Sequence, residues 1–474
     1  MHRLNARVLF LLCIAGCAGN DGPVGITVVT AVQVTLQDST VYAGQYLRAS
    51  AAPVDREGLP LIADTTLWSS SNPAIATVSP KGVVSGIAPG TVDIIATAAG
   101  FSGKAKLTVI AAGAAQQWLS LSAAVAATCG VATTGIAYCW GSPDFGLFNT
   151  SPARRGIPTP VASALRFAQL VSGQHDACGL TVAGAAWCWG ISDQHAQLGR
   201  GPATGVPDTV PAPVSGGLVF KQLSAGSSAF TCGLTNAGAA WCWGNGFGGE
   251  LGNGSTSDSD VPVPVSGGLL FSSITAGSGF ACGLTIAGAA WCWGANNRGQ
   301  GGRGSTTATN VPAPVSGELT FIALSAGYDF ACGISTSGAA YCWGNNVYGE
   351  LGNGALFNGP TTVPTLVAGG VSFASISAGG SHACAITASG AGYCWGSAAG
   401  VGALGIGRNA DSSVPVAVAG GLSFRSITPG TYHICGVTVA GAAYCWGNNS
   451  FWSELGVGQL FPDSNVPVAV FSSP

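Results

Sequence analysis

Cysteine is the residue whose spacing makes chemistry possible in this chain. Of its 16 cysteines, 14 form seven pairs whose members stand ten positions apart. The pairs are Cys129 with Cys139, Cys178 with Cys188, Cys232 with Cys242, Cys282 with Cys292, Cys332 with Cys342, Cys384 with Cys394 and Cys435 with Cys445. Successive first cysteines lie 49, 54, 50, 50, 52 and 51 residues apart. Thiols placed like this could hold zinc, remain free, or oxidise in pairs. Two thiolates with no accompanying His or second pair make a poor zinc site. Oxidation is geometrically open. In CGLTIAGAAWCWG (282–294) the residues Ile286-Ala287-Gly288 suit a three-residue hairpin loop, with Gly288 at its left-handed position. Thr285 then faces Ala289, and Cys282 faces Cys292. Opposed strand residues lie about 4.5–5.5 Å apart at Cα, inside the range a disulfide spans. The same register applies to the other six pairs; buried free thiols are the alternative.

No other residue cluster amounts to a catalytic, metal or cofactor site. The aromatic residue before each second cysteine and the Trp after it lie two apart, as in Trp241 with Trp243 and Tyr341 with Trp343. One strand face therefore carries both, and their recurrence in every copy reads as packing between repeats. The glycine-rich runs 244–254 and 294–304 lack the Lys-Ser/Thr that a phosphate cradle needs. They read as turns requiring positive φ. His382 and His433 occupy a repeat position held elsewhere by Phe230, Phe280, Phe330, Asp176 and Ala127, which favours a structural role. His175 and His195 have no recognisable nucleophile beside them. Asp258 and Asp260 fall short of a calcium loop. The expectation is a protein without cofactor, metal or enzymatic activity.

Composition narrows the class and the address. The chain has 474 residues, enough for two or three domains. Only 7% are charged, against roughly 25% in ordinary domains. Net charge is −3 with no basic stripe, which argues against nucleic acid as a partner. Past the N-terminus no apolar run approaches the ~20 residues of a spanning helix. Residues 1–17 combine Arg3 and Arg7 with the apolar stretch Val8–Ala15, the layout of an export signal. Ile14-Ala15-Gly16-Cys17 resembles the lipobox of bacterial lipoproteins. That resemblance implies cleavage before Cys17, lipidation of its thiol and, with Ala18 following, transfer to an outer membrane. Export places the paired cysteines in an oxidising compartment, where they read as a disulfide framework.

The elements around the cysteines are strands. After a tether at 18–25, residues 26–111 hold short alternating strands (Val32, Val34, Leu36; Leu107, Val109) between turn signals at Asp55–Gly58, Asn72-Pro73, Lys81-Gly82 and Pro89-Gly90. That pattern predicts a small β-sandwich. Trp68, the Ser-Ser-Asn-Pro turn, Lys81-Gly82-Val83-Val84 and Pro89-Gly90-Thr91 resemble bacterial Ig-like domains of group 2, which commonly serve as spacers. Residues 112–117 form a linker, and 118–474 hold the seven repeats. Each repeat offers four strand candidates, which suits a β-propeller. Pro262 and Pro264 lie two apart, so both missing N–H groups fall on one edge. The Pro-Val strand should be the outer edge of its blade, and the small Ser-Ala-Gly strand should line the ring's centre. The repeats resemble the regulator-of-chromosome-condensation family and its structural relative β-lactamase-inhibitor protein II. Trp243–Gly252, Trp343–Gly352 and Ala378–Cys384 carry the match. The first copy departs from it at Phe145-Gly146-Leu147, the fourth at Gly299-Gln300-Gly301, and the sixth in a shorter loop before Leu404-Gly405. The resemblance implies an all-β chain with a seven-bladed propeller. The last copy ends with a Pro-Val stretch and the first has none before it. Val466–Val470 should therefore be an outer strand, either beside the blade begun by Trp118–Ala123 or, as favoured, within the seventh blade next to Ala443–Trp446.

Function is expected on the loops after each Trp-Gly, since a rigid scaffold usually presents recognition residues on loops. The candidate binding residues are Phe145, Phe148, Phe247, Tyr348, Phe357, Phe451 and Trp452. The expected protein is a lipid-anchored binding protein of the bacterial envelope. It meets the membrane through its anchor only and recognises a protein partner, with a glycan second. Inhibition of a secreted enzyme is a rival reading. The family resemblance also implies guanine-nucleotide exchange, against which export argues.

Overall fold

The structure is a computed structural model. It describes residues 28–36, 39–44, 46–61, 65–110, 116–142, 147, 156–191, 195–202, 208–356, 359–458 and 462–471. The expected export signal at 1–17 with Cys17, the expected tether at 18–25, and Phe145, Phe148 and Phe357 lie outside these residues. Among the described residues all regular structure is β.

The N-terminal part is two four-stranded sheets. One orders its strands Ala31–Leu36, Tyr46–Val54, Val83–Gly86 and Ala76–Val78; the other orders them Thr40–Tyr42, Phe101–Ile110, Gly90–Ala98 and Leu67–Ser70. Alternation does the sorting. In Gly90–Ala98 the residues Val92, Ile94, Ala96 and Ala98 are buried while their neighbours are not. Val92 and Ile94 meet Leu47, Val84, Leu107 and Val109 in one core cluster, and Ala96 and Ala98 meet Val32 in a second.

The repeats form seven four-stranded antiparallel sheets among the described residues. Blade 1 begins at Trp118–Ala123, and blades 2 to 7 begin at Phe167, Phe220, Phe271, Phe321, Ser375 and Phe424. In blade 3 the order outward is Phe220–Gly226, Phe230–Thr235, Ala240–Gly244 and Ser259–Pro264. The proline-bearing strand is outermost, as two missing donors on one edge require. The hairpin of blade 4 pairs Cys282 with Cys292, Gly283 with Trp291 and Leu284 with Ala290. Its turn holds Gly288 at φ 81°, and the Ala289 N–H donates to Thr285 Oγ1 at 3.1 Å. A Cβ on Gly288 would stand 2.9 Å from the Phe321 carbonyl oxygen and 2.5 Å from Thr320 Cγ2, so space and φ both demand glycine.

The Trp-Gly and Leu-Gly signatures lock neighbouring blades together. Trp293 of blade 4 is buried, packs on Phe271 at 5.9 Å between ring centroids, and donates its Nε1–H to the Glu250 carbonyl of blade 3 at 2.9 Å. Trp343 repeats this on Gln300 O, Trp395 on Glu350 O and Trp189 on Leu147 O. The indole comes so near that a Cβ on Gly252 would lie 2.6 Å from Trp293 Nε1. Each core cluster therefore spans two blades: the Cys232–Cys242 pair of blade 3 packs with Leu251, Phe271 and Trp293.

The last strand, Ser464–Ala469, pairs with Ala443–Gly447 and completes blade 7. No described strand crosses from blade 7 to blade 1. The seam is held by Trp140 Nε1–H on the Glu454 carbonyl (2.7 Å), by Thr128 Oγ1 against His433 Nε2 (2.7 Å), by the Thr431 N–H on the Ala124 carbonyl (3.2 Å), and by the Arg425 guanidinium on the Trp118 carbonyl (2.6 Å).

Candidate functional site

The seven cysteine pairs are joined as disulfides, each across its own hairpin, with Cα–Cα distances of 4.0 or 4.1 Å. All 14 residues are buried. Their surroundings are the apolar seams between blades, so their contribution is to rigidity rather than to exposed redox chemistry.

Antiparallel order decides which loops share a face. The turn from the innermost strand to the second and the loop after each Trp-Gly leave the same end of every blade. This loop face carries the expected aromatic residues that the structure describes. Phe247 is 83% exposed and Phe451 is 75% exposed. Trp452 is half-buried and packs against Phe451 with ring centroids 5.7 Å apart and planes tilted by 47°. Tyr348 lies elsewhere on the face, in a cleft of about 450 Å³ between blades 5, 6 and 7. Two residues not singled out from the sequence join it there. Tyr328 comes from the inner turn of blade 5 and Tyr432 from that of blade 7. The Tyr328 hydroxyl and Thr431 Oγ1 are 3.0 Å apart, linking blade 5 to blade 7. Burial pushes the Tyr328 phenol above its usual range. Beside it, burial raises the Asp329 carboxyl against the pull of Arg298. The mouth of the central channel adjoins this cleft, and small side chains such as Ala225, Ala276, Ala326 and Ala378 line it.

Beneath the loop face lies a layer of buried polar side chains. Glu250, Glu350 and Glu454 each precede the Leu of Leu-Gly and are at most 1% exposed, as are Gln197 and Gln300 at the same repeat position. Burial raises the Glu250 carboxyl to about 7 and the Glu454 carboxyl to about 8, and also lifts that of Glu350. Near Glu250, His195 Nδ1 and Asp258 Oδ2 are 2.9 Å apart, and Asp258 Oδ1 accepts from the Gly246 N–H. Asp258 thus shapes a loop. Asp260 gives its carbonyl to the Gly201 N–H. Among the described residues no three His, Cys, Asp or Glu side chains group as a metal site. His382 and His433 are buried in the inner part of blades 6 and 7, and burial lowers them to about 4 and about 3. The arrangement offers a contoured recognition face on a rigid ring. Tyr328 and Tyr432 were discoverable as variation: the four residues before each first cysteine differ from copy to copy.

Fold and face together define a tandem protein, an Ig-like sandwich followed by a propeller of hairpin-stapled blades. Residues 237–284, 287–334 and 337–386 match the regulator of chromosome condensation (RCC1) repeat, and 271–300 and 321–350 match a second model of that description. Residues 28–109 match the bacterial Ig-like domain, group 2. The chain carries RCC1 repeats behind a group 2 bacterial Ig-like domain. Among solved structures it is similar to human WBSCR16, with 20% identity, 71% of this chain and 94% of that chain covered, and a TM-score of 0.63. It is also similar to yeast RCC1 (Prp20) as bound by Kap60, with 20% identity, 71% and 83% coverage, and a TM-score of 0.64. A third likeness is to Prp20p from Saccharomyces cerevisiae, studied for its binding to Gsp1p and histones: 21% identity, 66% and 80% coverage, and a TM-score of 0.57. At these identities the likeness is one of fold. A comparison with curated protein sequences finds no match.

Proposed function

We propose that this protein is an exported, lipid-anchored binding protein of the bacterial envelope, held by Cys17 and presenting its propeller loop face to a protein partner. The observation that carries the reading is the exposure of Phe247 and Phe451 on loops fixed to a disulfide-stapled ring. Exposed aromatic side chains on a rigid frame are the usual anchors of protein interfaces. The Ig-like domain and the paired cysteines fit a location outside the cytoplasm. There the Ig-like domain serves as a spacer between membrane and propeller. The structural relative Prp20 is itself seen bound to Kap60, so the fold supports protein recognition. A location outside the cytoplasm separates this chain from the nucleotide pool that guanine-nucleotide exchange requires.

The test uses the full chain purified from membranes. Mass spectrometry of the mature N-terminus should find a lipidated Cys17. Capture from envelope extracts should recover one stoichiometric protein, and recovery should fall with Phe247→Ala and Phe451→Ala together. An unmodified N-terminus beginning elsewhere overturns the anchor. Capture unaffected by the double variant overturns the assigned face.

A further inference from the structure

We propose that the cleft between blades 5, 6 and 7 is a binding site for a neutral sugar unit. This ligand class is separate from the protein partner proposed above. The cleft's volume, about 450 Å³, falls in the range of small-molecule sites. Its lining has an unusual composition. Tyr328, Tyr348, Tyr432, Thr431, Ser381 and Ser397 bring six hydroxyls, and Asp411 brings one carboxylate. The remaining lining residues are Gly or Ala; neither a lysine or arginine nor a Leu, Ile, Val, Phe or Met is among them.

Each hydroxyl can donate and accept, and so can each hydroxyl of a polyol, so the two sets match without regard to direction. Tyr348 and Tyr432 are 44% and 42% exposed. Their ring faces carry negative charge density that attracts the polarised C–H groups of a pyranose, while the phenol tips remain free to bond. The pair Tyr328–Thr431 spans the cleft at 3.0 Å and holds two of its walls in place before any ligand arrives.

Other ligand classes fit less well. An anion would meet the Asp411 carboxylate with no cation in the lining to offset the repulsion. An aliphatic side chain would desolvate the hydroxyls and leave them unpaired. For a cation, the lining offers a single carboxylate, and Asp411 Oδ1 already accepts from the Ala398 N–H at 2.7 Å; choline in the panel below tests this class directly.

The experiment is saturation-transfer NMR and calorimetry on the full chain. The probes are a panel of neutral mono- and disaccharides (glucose, galactose, mannose, N-acetylglucosamine and their β-linked dimers), with glucuronate and choline as charged comparisons. At least one neutral sugar should bind saturably. Tyr348→Ala and Tyr432→Ala should each weaken it about tenfold, the loss of one ring contact, while Tyr348→Phe keeps most of the affinity and Phe247→Ala all of it. Both tyrosines are surface loop residues, so the variants retain the core. The proposal is overturned if no neutral sugar in the panel binds, if binding survives both alanine variants, or if choline or glucuronate binds in preference. None of these outcomes changes the capture result that tests the protein partner.

Discussion

Replacing Glu454 with Gln should stabilise the propeller in alkaline solution and leave it almost unchanged in acid. Glu454 is fully buried beneath the loop face at the seam between blades 7 and 1. Burial pushes its carboxyl from 4.5 to about 8; nearby backbone N–H groups pull it partly back, and the charge of Asp463 adds to the rise. The folded state therefore keeps the proton up to about pH 8, whereas the unfolded chain releases it near 4.5. A carboxyl shifted upward contributes stability that is fully present below its unfolded pKa and lost as pH rises through its folded pKa. At 1.36 kcal/mol per pKa unit, the rise from 4.5 to about 8 amounts to about 5 kcal/mol above pH 9. Glutamine carries no charge in either state and removes that dependence. The fold already accepts the amide here, because Gln197 and Gln300 are buried at the same position in blades 2 and 4. The hydrogen bond from Trp140 uses the main-chain carbonyl and survives the change. Urea unfolding with the disulfides intact, at pH 5 to 9, reads the effect. The two proteins should agree within about 1 kcal/mol at pH 5 and diverge steadily to pH 9, with the variant the more stable. A difference that is constant with pH, or that grows toward acid, would refute the reasoning.

Two further outcomes follow from buried groups of the other kind. Burial lowers His382 to about 4, and both ring nitrogens lack protein partners. Its contribution is therefore intact above pH 6.5 and lost as pH falls toward 4. His382→Phe, which installs the residue found at the same position as Phe230, Phe280 and Phe330, should gain about 3 kcal/mol over the wild type between pH 7 and pH 4; a gain independent of pH would contradict this. Peptide mapping without reduction should recover the seven links within hairpins, such as Cys282–Cys292. Removing that one link with Cys282→Ala and Cys292→Ala should cost at most about 3 kcal/mol, the chain-entropy value for a short loop. Links between blades would contradict the hairpin register.

What the sequence disclosed here is what covalent structure and short range impose. Ten positions separate the cysteines of a pair, and with Gly288 at the turn only one register places them opposite each other. Pro262 and Pro264 lack donors wherever they stand, so their strand had to be an edge. Neither inference needs the rest of the molecule. The buried carboxyls do need it. Gly-Glu-Leu-Gly reads as a polar turn, whereas in the fold Glu250 is buried and its carbonyl accepts from the indole of Trp293, 43 positions later. One signal was present: that repeat position is Glu in blades 3, 5 and 7 and Gln in blades 2 and 4. Amide in place of acid there, and Ala403 at the same position in blade 6, mark a site that does not require charge. The contact of Tyr328 with Thr431 spans 103 residues and exists only once the ring brings blades 5 and 7 around the channel. No local pattern encodes it, but the differences among copies do point toward it. Positions locked by neighbouring blades repeat, as the Trp-Gly and Leu-Gly residues do, because every seam imposes the same packing. Tyr328 and Tyr432 stand in inner turns outside the Trp-Gly and Leu-Gly packing, and Tyr328 makes a contact to Thr431 that is not part of the repeated seam. In a ring of near-identical units, departures from the repeat are therefore the best guide to the binding face.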